Sequence, residues 1–173
     1  GISGWNAAGI FEDGEGQIWL GRKGLYVMNE EKGTIKNLTQ QQGLGNDRVN
    51  YLLEGSNGQV WIGTATGIDV IDTKDGTIKH LQVKGVSNFE VAGLIKDSRG
   101  NTWFGTSGNG LFMISPEDGK LTKFTLANGL ANMVIYTINE RDGSIYAGTG
   151  TGLTVITPGN EKNKWQLKSY GKP

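Results

Sequence analysis

His80 is the only histidine in this 173-residue chain, so an imidazole base, a catalytic triad or a histidine metal site has to be built on it. Cysteine is absent, which removes thiol nucleophiles, thiolate ligands and disulfides. The carboxylates Asp13, Asp97, Glu117, Asp118 and Asp142 stand in glycine-rich turn sequences, where such a side chain hydrogen-bonds its own backbone. Asp13 and Glu15 lack the spacing of a calcium loop, and "GTGTGL" from Gly148 lacks the full spacing and the following helix of a phosphate loop. No metal and no cofactor are expected. Aromatic faces can stack on sugars, but Trp19, Trp61 and Trp103 recur in register, which favours a packing role for them.

The elements that position these residues follow from composition and period. The 17 basic and 17 acidic residues cancel, so there is no electrostatic case for nucleic acid or an anionic membrane surface. No apolar run approaches the roughly 18 residues that cross a bilayer, and "GISGWNAAG" at the amino end lacks the regions of a signal peptide. The chain is therefore expected either to be cytosolic or to be a piece of something larger. Twenty-nine glycines against three prolines punctuate short apolar segments such as "VWIG", "LFMI" and "LTVI", a pattern unlike that of a disordered chain.

Trp19, Trp61 and Trp103 stand 42 residues apart, and Tyr146 follows after 43. Around each anchor the same events recur. A first strand ("VNYLLE", "VAGLIK", "VIYTIN") ends in a turn at Gly16, Gly58, Gly100 or Gly143. A second strand holds the aromatic and closes on Gly21, Gly63, Gly105 or Gly148. A third ("LYVMN", "IDVID", "LFMIS", "LTVIT") leads through a turn to an outer fourth ("TIKNL", "TIKHL", "KLTKF", "WQLKSY"). Such strands, bounded by Gly, Asn and Asp, are hairpin-connected and antiparallel. The expected fold is all-β: a β-propeller of four four-stranded antiparallel blades at residues 1–42, 43–84, 85–128 and 129–173, either a minimal ring or a segment of a larger one. In this alignment His80 falls opposite Asn37 and Lys123 on the outermost strand, where a solvated side chain is expected.

Residues 97–106, "DSRGNTWFGT", followed by "GL" at Gly110, together with "GLGNDRV" from Gly43, resemble the two-component-regulator propeller repeat. Copy two departs from it with Gly55 at the Asp position, and copy four with Glu140 there and Tyr146 for Trp. In copy one Arg22 replaces the Thr64, Thr106 and Thr149 of the others. The resemblance implies the periplasmic sensor region of a hybrid two-component system of the Bacteroides type. There, tandem arrays precede a membrane helix, a histidine kinase and a DNA-binding output domain, and many respond to oligosaccharides. It implies a non-enzymatic chain, a kinase being expected only in a parent protein. The chain is also similar in its "G-x-I-W" repeats to streptogramin lyases, whose histidine and acid cluster a single histidine does not supply.

A ligand role is best reserved for residues that break the repeat on the side where the second-to-third-strand connections and the linkers emerge. These are Trp5, Arg22, Lys23, Asp47, Arg48, Phe89, Glu90, Asn109 and Met133. Aromatic and charged groups of this kind suit a glycan or a protein contact. The expected partners are an oligosaccharide and a second copy of the chain or further blades of a parent, with no nucleic acid and no membrane contact. The alternatives are a protein-interaction scaffold and a lyase-like enzyme.

Overall fold

The computed structural model describes residues 8–55, 58–160 and 164–171. Sixteen strands form four sheets, each a simple antiparallel meander in chain order. The first contains β1 (Gly9–Glu12), β2 (Gln17–Arg22), β3 (Gly24–Asn29) and β4 (Thr34–Leu38). The second contains β5 (Val49–Glu54), β6 (Gln59–Thr64), β7 (Ile68–Asp72) and β8 (Ile78–His80). The third contains β9 (Val91–Lys96), β10 (Thr102–Thr106), β11 (Leu111–Ile114) and β12 (Leu121–Phe124). The fourth contains β13 (Ile135–Arg141), β14 (Ser144–Thr149), β15 (Gly152–Pro158) and β16 (Trp165–Gly171).

The repeat motif has a direct physical basis in the first and third sheets. Asp97 closes the β9–β10 turn by accepting hydrogen bonds from the backbone N–H groups of Arg99 (3.0 Å) and Asn101 (2.8 Å). Its second oxygen accepts from Asn101 Nδ2 and from Trp103 Nε1, both at 2.8 Å. One carboxylate thus pins a turn and supplies the acceptor that a fully buried indole N–H requires. Asp13 does the same for Glu15, Gln17 and Trp19, with the indole at 2.7 Å. Copy two cannot use this device, because a Cβ at Gly55 would lie 2.8 Å from the Trp61 ring. In copy four Glu140 accepts instead from Gly143 N at 2.9 Å and Ser98 Oγ at 2.8 Å.

Glycines at the ends of second strands let neighbouring sheets approach. A Cβ on Gly21 would come within 2.6 Å of Val49 Cγ1, and one on Gly105 within 2.4 Å of Ile135 Cγ2. At Gly148 the obstacle lies 2.7 Å away, at Thr137 Cγ2 within the same sheet. The linkers before β5 and β13 are fixed by short 3-10 turns, Gln40–Gln42 and Leu126–Asn128, which end on Gly43 and Gly129 at φ 105° and 98°, a left-handed conformation suited to glycine.

The chain divides into two compact units, Gly1–Glu90 and Val91–Pro173. In the first, Trp19, Leu25, Leu44, Val49, Ile62 and Ile71 form a continuous apolar core. In the second, Trp103, Leu111, Phe124, Ile135, Ile145 and Ile156 do so.

The propeller expected from the sequence is corrected here. Among the described residues the four sheets are separate and open; none is closed on itself or continued into another. Among the described residues, isolated backbone bridges outside the named strands join Lys23 to Arg48 in the first unit and Ser107 to Val134 in the second. The physical reason lies in the range of the repeat's information. Asp, Trp and Gly specify one meander and its seat against the next sheet, and nothing in a 42-residue period specifies a ring.

Candidate functional site

The first unit gathers a charged cluster where β2, the linker and the residues before β9 meet. Lys23 and Arg48 bridge through their backbones, and Gly24 N donates to Asp47 O at 2.6 Å. Asp47 also accepts from Gln40 N at 2.7 Å, so its carboxylate anchors the turn at Gln40–Gln42. The Arg48 guanidinium pairs with Glu90, which accepts a long 3.4 Å hydrogen bond from Asn50 Nδ2 as well. Arg22 ends β2, half-buried and opposite Gly24. The backbones of Lys23, Asp47 and Arg48 thus meet, and the Arg48 and Glu90 side chains pair beside them, 60% and 41% exposed. An ion pair that open to water stabilises the fold little, which leaves both groups available for exchange with a ligand.

The other repeat-breaking residues are placed differently. Phe89 is buried, with its ring edge 3.8 Å from where a Cβ on Gly67 would stand. Asn109 and Met133 belong to the second unit: Asn109 N donates to Thr106 Oγ1 at 2.9 Å, Met133 O accepts from Gly110 N at 2.9 Å, and the Met133 thioether packs against Gly110. Trp5 lies outside the described residues.

One arrangement was missed by the sequence reading. His80 does not stand free on its outer strand. Its Nδ1 lies 2.6 Å from Oδ1 of Asp69, directly opposite on β7, and Asp69 is 2% exposed. Oδ2 of Asp69 accepts from Gly45 N at 2.8 Å. The pair borders a groove of about 230 Å³ that also includes Thr66, Gln82, Ser87, Asn88 and Phe89. The signal was present in "IDVID": an acid stands at the register position that Tyr26, Phe112 and Thr154 occupy in the other sheets, facing the outer-strand residue.

Comparison with known proteins sets this geometry in context. Residues 43–66 match the family "Two component regulator propeller". Among solved structures, the chain is similar to the extracellular domain of a proposed hybrid two component system from B. thetaiotaomicron, at 27% identity and TM-score 0.67, over 91% of this chain and 22% of that one. It is also similar to a streptogramin B lyase, at 18% identity and TM-score 0.69, over 96% of this chain and 55% of the lyase. Virginiamycin B lyase from Staphylococcus aureus matches at 22% identity and TM-score 0.69, over 96% of this chain and 56% of that chain. No curated protein matches.

The chain spans about a fifth of the length of the first of these extracellular domains. It is a β-sheet protein distantly related to extracellular two-component sensor domains and similar in fold to streptogramin-lyase-type enzymes. An extracytoplasmic location is consistent with the first relationship. The expectation of a non-enzymatic chain is corrected. Proteins of similar fold include lyases, one solved as a catalytically inactive histidine variant with quinupristin. The argument from a merely solvated His80 also fails, because that ring is held by a buried carboxylate.

Proposed function

We propose that this chain is a recognition segment of the periplasmic part of a two-component sensor and that it binds an oligosaccharide. The observation that carries the reading is the 27% identity, sustained over 91% of the chain, to an extracellular two-component domain. The exposed cluster of Lys23, Arg48 and Glu90 supports it, since it offers charged donors and acceptors from adjacent loops to a ligand with many hydroxyls. Arg22, at the end of β2, adds a further cation beside Lys23. A glycan found to bind the chain should lose affinity about tenfold in Arg22→Ala or Lys23→Ala. Unchanged affinity in both variants would remove this cluster as the site.

A second reading, a lyase-like enzyme, is favoured by one observation: the chain matches more than half of each lyase, 55% and 56% of their lengths, against 20–24% of the sensor domains. Chromatographic conversion of quinupristin by the purified chain would establish it, and an unchanged antibiotic would set it aside.

A further inference from the structure

We infer that the Asp69–His80 pair and the groove beside it form a binding site for a neutral hydroxylated ligand about the size of one sugar ring, with His80 Nε2 bonded to a ligand hydroxyl. The inference deepens the proposed oligosaccharide reading and places one ring of the ligand in a groove that neither Arg48 nor Glu90 lines.

The geometry begins with Asp69. Both of its oxygens are engaged, one by Gly45 N and one by the His80 ring, and the carboxylate is 2% exposed. An ionised carboxylate only accepts, so His80 Nδ1 carries the proton of this hydrogen bond. The ring is thereby held by a buried partner, which leaves Nε2 as the nitrogen not used in the pair. Nε2 has no hydrogen-bond partner among the described residues, and the His80 side chain is 52% exposed. A hydroxyl satisfies this nitrogen in either protonation state, because it donates to a lone pair and accepts from an N–H.

The fourth sheet shows that the fold does not need an acid and an imidazole at this register. There Thr154 Oγ1 accepts from Ala131 N at 2.9 Å, pairs with Ser169 Oγ at 2.8 Å, and Ser169 donates to Gly129 O at 2.6 Å. Two hydroxyls thus tie the linker to the third and fourth strands, each bonded to a partner within the sheet or linker. In the second sheet Asp69 makes the same tie to the linker at Gly45, and the added ring nitrogen is surplus to it.

The rest of the groove selects the ligand class. Thr66, Gln82, Ser87 and Asn88 contribute uncharged polar side chains, and the buried Phe89 contributes an aromatic wall. Among the described residues no Lys, Arg or Glu lines it, which argues against a phosphate or a carboxylate ligand. Its volume of about 230 Å³ lies below the roughly 300–1,000 Å³ of drug-sized pockets and suits a single ring.

The single histidine makes the test unambiguous. With the chain labelled in ¹⁵N and ¹³C, every imidazole signal belongs to His80. The chain is titrated with glucose, galactose, mannose and N-acetylglucosamine, and with inorganic phosphate as the anionic comparison. At least one sugar should shift His80 Nε2 saturably, phosphate should not, and His80→Ala or Asn88→Ala should weaken that sugar about tenfold. A sugar that shifts Lys23 and Arg48 signals but leaves His80 unmoved overturns this inference while sparing the proposed function. A His80 response to sugar from a chain that binds no oligosaccharide upholds the groove and counts against the sensor reading. No His80 response to any sugar, or a response to phosphate alone, overturns the site as described; because the wild-type spectrum decides this, a misfolded variant does not obscure it.

Discussion

Replacing Asp97 with Ala removes the acceptor for four donors: the backbone N–H groups of Arg99 and Asn101, Asn101 Nδ2 and Trp103 Nε1. Three of them lie in buried surroundings. Trp103 is fully buried and Asn101 is 8% exposed, so the indole N–H, the Asn101 backbone N–H and Asn101 Nδ2 lose an acceptor that water does not readily replace. Each buried, unsatisfied donor costs about 1–3 kcal/mol. Arg99 N, only part-buried, recovers a partner from solvent. The expected loss is therefore at least about 3 kcal/mol, or at least roughly 6 °C in melting temperature for a chain of this size. Asp118→Ala is the comparison, because that carboxylate is exposed on its turn and accepts from Lys120 N at 3.0 Å in contact with solvent, so its removal should cost much less than that of Asp97. Thermal melts and urea titrations monitored by tryptophan fluorescence measure both. A Trp103→Phe background deletes the indole donor, and in it Asp97→Ala should cost about 1 kcal/mol less. Equal losses for Asp97→Ala and Asp118→Ala, or no coupling to Trp103, would refute the reasoning that the repeat's Asp exists to satisfy its Trp.

Gly105→Ala should destabilise by about 1–3 kcal/mol in a urea titration, because the new Cβ falls 2.4 Å from Ile135 Cγ2 and 2.8 Å from Ile135 Cβ, and no χ1 rotation moves the latter. A trimming Ile135→Val change should relieve little of that loss, since the Cβ contact remains. Burial raises the Asp13 carboxyl pKa, but hydrogen bonds from Trp19, Gln17 and Glu15 outweigh it and hold the value below the ordinary 3.8. The folded value being the lower one, Asp13 contributes stability above pH 3.8 that disappears as the pH falls through the folded value. Melts of wild type and Asp13→Asn should accordingly differ by a constant amount near neutrality and converge below pH 3.8. Arg48→Ala, breaking an ion pair that is mostly in water, should change stability by less than about 1 kcal/mol in the same assay.

Much of the local fold is legible in the residues. Val49–Glu54, Thr34–Leu38, Ile68–Asp72 and Val91–Lys96 are strands with the limits that their apolar runs and flanking glycines indicate. These limits are visible because turn chemistry and alternation act over a few residues. The ring was not legible, because closure depends on how distant sheets meet and no short pattern encodes it. The candidate site divides in the same way. Lys23, Arg48 and Glu90 stand out by breaking the repeat; Lys23 and Arg48 bridge through their backbones and Arg48 pairs with Glu90. Phe89 breaks it too, yet it is buried as a wall because an apolar ring in a connection finds the nearest core. The Asp69–His80 pair stayed hidden because each residue looks ordinary alone. Only the cross-strand register of β7 and β8 reveals that the acid is buried and that it holds the ring.

Recognition of an oligosaccharide is the central claim, and an array of neutral and acidic glycans probed with the purified chain tests it most directly. The account predicts saturable binding to one structural class of glycan, weakened by Lys23→Ala and retained in Asp118→Ala. No saturable binding across the array by a chain whose melting curve shows it to be folded would contradict it.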